Sequence, residues 1–117
     1  MTLGESHKLD LILGLPYNTD VEVRYFRQGQ REPVREYMDD TVEYHPDIAA
    51  KLRARIDLLA TEGTMSKSIS CRNMGQGLWE LKVRSVVGYH RIFFGIVEGV
   101  VLLLHAFSKK VEKDAEV

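Results

Sequence analysis

The stretch from Gly77 to Lys110 constrains the fold of this chain more than any other, because it predicts three consecutive strands. The strands are predicted over Leu78–Arg84, Tyr89–Val97 and Val100–Phe107, which are rich in β-branched, aromatic and other apolar residues. Glu98-Gly99 separates the last two, and a two-residue connection of this kind is typical of a tight β-hairpin. Since the connections are short, the three strands are expected to run antiparallel.

The first of these strands has two different faces. Apolar and charged residues alternate along it, with Trp79, Leu81 and Val83 on one side and Glu80, Lys82 and Arg84 on the other. Successive side chains of a strand point to opposite faces of the sheet. One face is therefore expected to belong to the core, and the other carries charge and is open to solvent or a partner.

The upstream half predicts one further strand and two helices. The strand is expected over Val21–Arg27, the first helix from Pro33 to about Val42, and the second from Pro46-Asp47 to a cap at Gly63. In the second helix an apolar stripe repeats at helical spacing, formed by Ile48, Leu52, Ile56 and Leu59. The connector that follows shows only a weak strand pattern, around Ser68–Arg72.

Together these elements predict an α+β fold of two layers. Two helices are expected to cover one face of a small antiparallel sheet, in the order strand, helix, helix, three strands. The predicted domain spans residues 21–111, with an N-terminal extension over 1–20 and a short tail over 112–117. A length of 117 residues fits one domain with a core of its own.

The composition excludes several classes of protein. A single cysteine, Cys71, cannot form an internal disulfide framework. The longest apolar run, Val100–Leu104, is too short to cross a bilayer, and Glu5 and Lys8 interrupt any signal-peptide core. We therefore expect a soluble, cytoplasmic protein without contact with a membrane.

Charge is divided unevenly between the two halves of the chain. The net charge of −1 argues against a general nucleic-acid binder. Residues 1–66 nevertheless carry −4 and residues 67–117 carry +3, so the half that forms the predicted sheet is the positive one. This asymmetry is compatible with a basic patch on the sheet.

An ordered set of motifs resembles the RelE/HigB toxins of bacterial toxin–antitoxin pairs, in particular their phage-derived HigB-like branch. The motifs are VREYMD at 34–39, GLWELKVR at 77–84, GYHRIFF at 88–94 and LLHAFSKK at 103–110. The resemblance extends over roughly residues 21–111. One departure is Glu80, which stands where RelE proper has a further lysine.

The resemblance implies a RelE-like fold and a metal-independent endoribonuclease that cuts messenger RNA on translating ribosomes, without a cofactor. It also implies a cognate antitoxin, expected to be a helix-turn-helix protein. In such a reaction the ribose 2′-OH attacks the adjacent phosphate and the 5′-oxygen leaves. This requires proton removal, proton delivery and stabilisation of negative charge on the phosphorane.

Residue by residue, the resemblance implies four catalytic positions: Arg91, Arg84, Lys82 and Lys110. Arg91 would stabilise charge in the transition state, and Lys82 and Arg84 would contact phosphate or transfer a proton. It further implies three RNA-binding positions: Lys109, Phe107 and His105. Phe107 could stack on a base.

Other interpretations of these residues stay open. Lys82 and Arg84 could be ordinary solvent-facing residues of a half-exposed sheet. His90 and His105 lie in apolar strands, which favours hydrogen-bonded core or edge histidines over general bases, and with Cys71 their spacing fits no metal site. The alternative function is a catalytically inactive, phage-derived interaction module that binds a protein partner with its sheet.

Overall fold

The computed structural model describes residues 21–109, and the predictions made for residues 1–20 and 110–117 lie outside them. In chain order the elements are β1 (Glu22–Tyr25), α1 (Pro33–Tyr44), α2 (Pro46–Glu62), β2 (Ser70–Gly75), β3 (Leu78–Ser85), β4 (Gly88–Val97) and β5 (Val100–Lys109). No helix in this part of the chain is long and apolar enough to cross a membrane.

All five strands form one sheet, in the spatial order β1-β5-β4-β3-β2. Neighbouring strands from β2 to β5 pair antiparallel, whereas β1 pairs parallel to β5. The sheet is therefore mixed, and the two helices are followed by four strands. The predicted small antiparallel sheet, in the order strand, helix, helix, three strands, is wrong.

Two physical causes explain this difference. Strand β2 is an edge strand of sequence SCRNMG, in which Cys71 alone is partly buried, so its composition shows little hydrophobic periodicity. The direction of β1 depends on its partner β5, about 75 residues further along the chain, and on the long connection through both helices and strands β2 to β4 that allows parallel pairing. A local sequence pattern contains neither of these facts.

The core lies between the helices and one face of the sheet. The predicted stripe of α2 is buried, together with Val34 and Met38 of α1. The sheet contributes Leu81, Val83, Ile92, Phe94, Val101 and Leu103 to the same cluster. Trp79 is half-buried beside it and stacks on Phe94, with ring centroids 6.3 Å apart. This contact places the alternating apolar residues of β3 on the helix side.

Both outer hairpins turn through two residues with positive φ. These are Gln76 and Gly77 between β2 and β3 (55° and 82°) and Glu98 and Gly99 between β4 and β5 (51° and 79°). Positive φ at both positions is what a type I′ turn requires, and this turn matches the right-handed twist of the flanking strands. The predicted Glu98-Gly99 hairpin is confirmed.

A β-bulge divides β5 into two halves. Phe93 pairs with His105 but the next residue, Phe94, pairs with Leu103, so Leu104 is an extra residue. Because side chains alternate along a strand, this insertion reverses which residues face the helices. Before the bulge the odd-numbered Leu103 is buried, and after it the even-numbered Ala106 is buried.

Candidate functional site

The candidate site lies on the sheet surface turned away from the helices, which we call the open face. The strand register aligns its side chains in three rows: Arg84, Tyr89 and Lys109; Lys82, Arg91 and Phe107; and Glu80, Phe93 and His105. Strand spacing and rise place the nine residues in an area of about 10 by 14 Å. The rows bring together every predicted site residue except Lys110, which lies outside the described residues.

The open face is strongly biased towards positive charge along strands β2 to β5. Its basic residues are Arg72, Lys82, Arg84, Arg91 and Lys109, and its one carboxylate there is Glu80. Within residues 21–109, no carboxylate forms an ion pair with Lys82, Arg84 or Lys109. These three cations are therefore available to an anionic ligand.

Aromatic rings lie between the cations. Phe107 is 37% exposed, and its ring centroid lies 5.7 Å from that of Phe93 and 6.3 Å from that of His105. Tyr89 has the Lys82 ammonium 5.1 Å and the Arg84 guanidinium 5.6 Å from its ring centroid. Exposed rings interleaved with unpaired cations form a surface that suits single-stranded nucleic acid, since bases stack on the rings and phosphates meet the cations.

Arg91 is held by an ion pair with Glu80. Its Nη1 donates a hydrogen bond to the Glu80 carboxylate over 2.9 Å, while Arg72 approaches the second carboxylate oxygen to 3.6 Å. The Glu80 side chain is 5% exposed and that of Arg91 is 23% exposed, so this pair is largely removed from water. Glu80, which stands where RelE proper has a further lysine, is thus a buried counter-charge that orients Arg91.

Sequence reasoning missed Arg72 and Tyr89 as members of this site. Arg72 belongs to the edge strand β2, where the pattern predicted only a weak strand, and its contact with Glu80 depends on the β2–β3 register. Tyr89 was predicted only as the first residue of its strand, without a role in the site. Tyr89 lies directly opposite Arg84 because of the length of the β3–β4 turn, and this length was the sequence signal that could have placed Tyr89 in the site.

His90 lies on the opposite side of the sheet and has a structural environment. It is 3% exposed, and burial lowers the pKa of its imidazole below the ordinary value of 6.5. The Tyr37 hydroxyl, whose own pKa is raised by burial, forms a hydrogen bond with His90 Nδ1 over 2.5 Å. His90 Nε2 and Ser85 Oγ are hydrogen-bonded over 2.7 Å, and Ser85 Oγ also lies 3.3 Å from the carbonyl oxygen of Gly88.

These hydrogen bonds engage both ring nitrogens of His90. The network fastens the β3–β4 turn to α1. The prediction of a hydrogen-bonded core histidine at this position is confirmed. His105, by contrast, is exposed on the open face.

A grouping of three or more His, Cys, Asp or Glu side chains suited to a metal ion is absent from residues 21–109. The open face of the described chain offers cationic side chains and an imidazole. Lys82, Arg84 and Arg91 can stabilise negative charge on a phosphate, and His105 beside them is of the type that most often transfers protons.

Comparison with known proteins adds a family assignment to this geometry. A profile of the family described as phage derived protein Gp49-like (DUF891) matches residues 39–115. The chain belongs to this Gp49-like family. The match covers part of α1 and all of α2 and β2 to β5, so it includes the whole open face, whereas β1 precedes it. No curated protein and no solved structure matches this Gp49-like chain.

Proposed function

We propose that this Gp49-like protein is the toxin of a bacterial or phage toxin–antitoxin pair, an endoribonuclease that cuts messenger RNA on translating ribosomes. The observation that carries the proposal is the open face, on which unpaired cations and exposed aromatic rings occur in one small area. Membership in a phage-derived family and the RelE/HigB-like motifs point in the same direction. A helix-turn-helix antitoxin would neutralise the protein in the cytoplasm.

The proposed reaction needs no metal or cofactor. The 2′-oxygen of a ribose bonds to the adjacent phosphorus while the bond from phosphorus to the 5′-oxygen breaks. A base takes the 2′ proton, an acid protonates the leaving 5′-oxygen, and the products carry a 2′,3′-cyclic phosphate and a 5′-hydroxyl. In this proposal His105, the only imidazole on the open face of the described chain, would transfer one of these protons.

Three cations would stabilise the phosphorane in this scheme. Lys82 and Arg84, which have no carboxylate partner within residues 21–109, would contact phosphate oxygens. Glu80 occupies Nη1 of Arg91, but a guanidinium has five N–H donors, so the remaining ones can still meet the phosphate. Because Glu80 holds this fork in place, little side-chain freedom is lost when it binds. Phe107 would stack on a neighbouring base.

The test combines growth with direct analysis of RNA. Inducible expression in a bacterium is expected to arrest growth, and purified protein is expected to cut ribosome-bound message in the presence of a chelator. A Lys82→Ala/Arg84→Ala variant should lose at least ~10²-fold in cleavage, comparable to loss of a preorganised charge-stabilising donor. The matched control is Arg24→Ala, which removes an exposed arginine already paired with Glu22 at the far edge of the sheet.

Three results would contradict the proposal. Wild-type protein that neither arrests growth nor cuts message would support the inactive interaction module, whose open face binds a protein. Cleavage that chelation abolishes and zinc or manganese restores, with intact ribosomes in the control, would refute the metal-independent mechanism. Equal cleavage by the double variant and Arg24→Ala would show that the open face is not the active site.

A further inference from the structure

A second positively charged region adjoins the open face at the edge of the sheet, and we call it the basic groove. Its cavity has a volume of about 370 Å³, in the range of small-ligand sites. Its charged lining consists of Lys51, Arg55, Lys67, Lys82 and Arg84. The groove therefore combines residues of α2, of the connector before β2, and of β3.

The groove exists because β2 is shorter than its neighbour. Strand β2 pairs with β3 only as far as Lys82, so the backbone of β3 from Val83 to Ser85 continues without a strand on that side. Lys51 fills part of this gap, since its ammonium donates a hydrogen bond to the carbonyl of Arg84 over 2.6 Å. The gap opens a passage from the open face to the flank of α2.

The lining chemistry suits a phosphodiester backbone. No Asp or Glu within residues 21–109 lines the cavity, and none of its five cations forms an ion pair with a carboxylate of that region. Ser68 and Ser70 add hydroxyl groups to the lining. Five cations that repel one another and have no carboxylate partner within residues 21–109 favour binding of a polyanion with regularly spaced charges.

We propose that the basic groove binds the phosphates of single-stranded RNA that flank the bond cut on the open face. This inference rests on the proposed function, because Lys82, Arg84 and Tyr89 line the groove and also belong to the open face. A strand whose bases stack on the exposed rings can continue past Tyr89 into the groove, whose described lining contains no carboxylate. Arg55 and Lys67 contribute there only to binding of the flanking strand.

The experiment measures equilibrium binding of a fluorescent oligonucleotide of about 12 nucleotides, a length within known single-strand site sizes. The RNA carries 2′-O-methyl groups, so the attacking hydroxyl is absent and binding is separated from cleavage. Affinity is measured across a salt series for the wild type, Arg55→Gln and Lys67→Ala. The matched control is Arg53→Gln, two positions along α2, where the side chain lines a different cavity beside β1.

We expect Arg55→Gln and Lys67→Ala each to weaken binding about fivefold at ~0.1 M salt and to reduce the salt slope by about 0.7, the share of one phosphate contact with a single strand. Arg53→Gln should leave both quantities at the wild-type values. A blunt RNA duplex should bind more weakly than the single strand, because its bases cannot stack on the open face.

Three outcomes would contradict the proposed RNA binding by the groove. In the first, Arg55→Gln and Arg53→Gln bind the oligonucleotide with equal affinity. In the second, the wild-type protein has no affinity for the oligonucleotide, and in the third it binds the duplex more tightly than the single strand. A groove that binds an acidic protein partner would give the first of these. The proposed function is judged separately, by cleavage of ribosome-bound message, because Arg55 and Lys67 do not lie on the open face.

Discussion

Replacing Arg91 with alanine is expected to lower the free energy of unfolding by about 2–4 kcal/mol. The reason is that the Glu80 side chain is only 5% exposed, and its carboxylate would lose the Arg91 guanidinium that now lies 2.9 Å away. Breaking a fully buried pair from one side costs roughly 3–5 kcal/mol. We expect a somewhat smaller loss because Arg72, 3.6 Å from the same carboxylate, partly compensates.

A double-mutant cycle isolates the coupling between the two residues. Glu80→Gln alone should cost about 1 kcal/mol, since it removes the buried charge and keeps a hydrogen-bonding group. The double variant should then be less destabilised than the sum of the single ones, by at least about 1 kcal/mol. Arg84→Ala is the matched control, an arginine of the same face without a carboxylate partner in the described chain, and should cost less than about 0.5 kcal/mol.

The assay is urea unfolding near pH 7, followed by far-ultraviolet circular dichroism and tryptophan fluorescence. If Arg91→Ala unfolds within about 0.5 kcal/mol of the wild type, or if the two substitutions are additive, the pair does not stabilise the fold. An activity measurement on Arg91→Ala is interpretable only after this comparison. Loss of cleavage in an unfolded variant would say nothing about phosphate binding.

Three further predictions concern the core. Trp79→Ala should cost about 2–3 kcal/mol in the same assay, less than a fully buried aromatic, and a change below about 1 kcal/mol would place Trp79 outside the core. The pKa of His90 is lower in the folded protein than its ordinary value of 6.5, so its contribution to stability is complete above pH 6.5 and is lost as the pH falls through the folded pKa. This acid-induced loss of stability should disappear in His90→Gln and remain in the control His105→Gln. Burial raises the pKa of Cys71 to about 11 from 9.0, so alkylation at about pH 8 should be about 100-fold slower in the folded than in the unfolded protein, and equal rates would show an accessible thiolate.

The elements that sequence predicts well here are those determined by local chemistry. Pro33 and Pro46 occupy first-turn positions, Gly63 caps α2 with φ 82°, and Glu98-Gly99 adopts the positive φ values of its turn. Each depends on backbone preferences of one or two residues. The partner and direction of β1 and the pairing of β2 depend on contacts between distant segments, which hydrophobic periodicity does not encode.

The same distinction applies to the site. Alternation along β3 places Lys82 and Arg84 on the face opposite Trp79, and the register confirms that they share this face with Arg91. The ion pair between Arg91 and Glu80, by contrast, joins two strands and becomes visible only with the register. The basic groove is less predictable still, because Lys51 and Arg55 look like the ordinary polar side of an amphipathic helix.

The extra residue Leu104 makes the two ends of β5 independent of each other. The end that pairs with β1 buries its odd-numbered residues, while the end that carries Phe107 and Lys109 buries Ala106 and exposes its odd-numbered residues. A one-residue deletion at this point would have an effect that no substitution has. It would exchange inside and outside for the terminal half of the strand, turning Ala106 to the solvent and Phe107 to the helices. The number of residues at the bulge therefore decides which side chains a ligand can meet. Related chains should accordingly tolerate substitutions between Leu103 and His105 far more readily than insertions or deletions there.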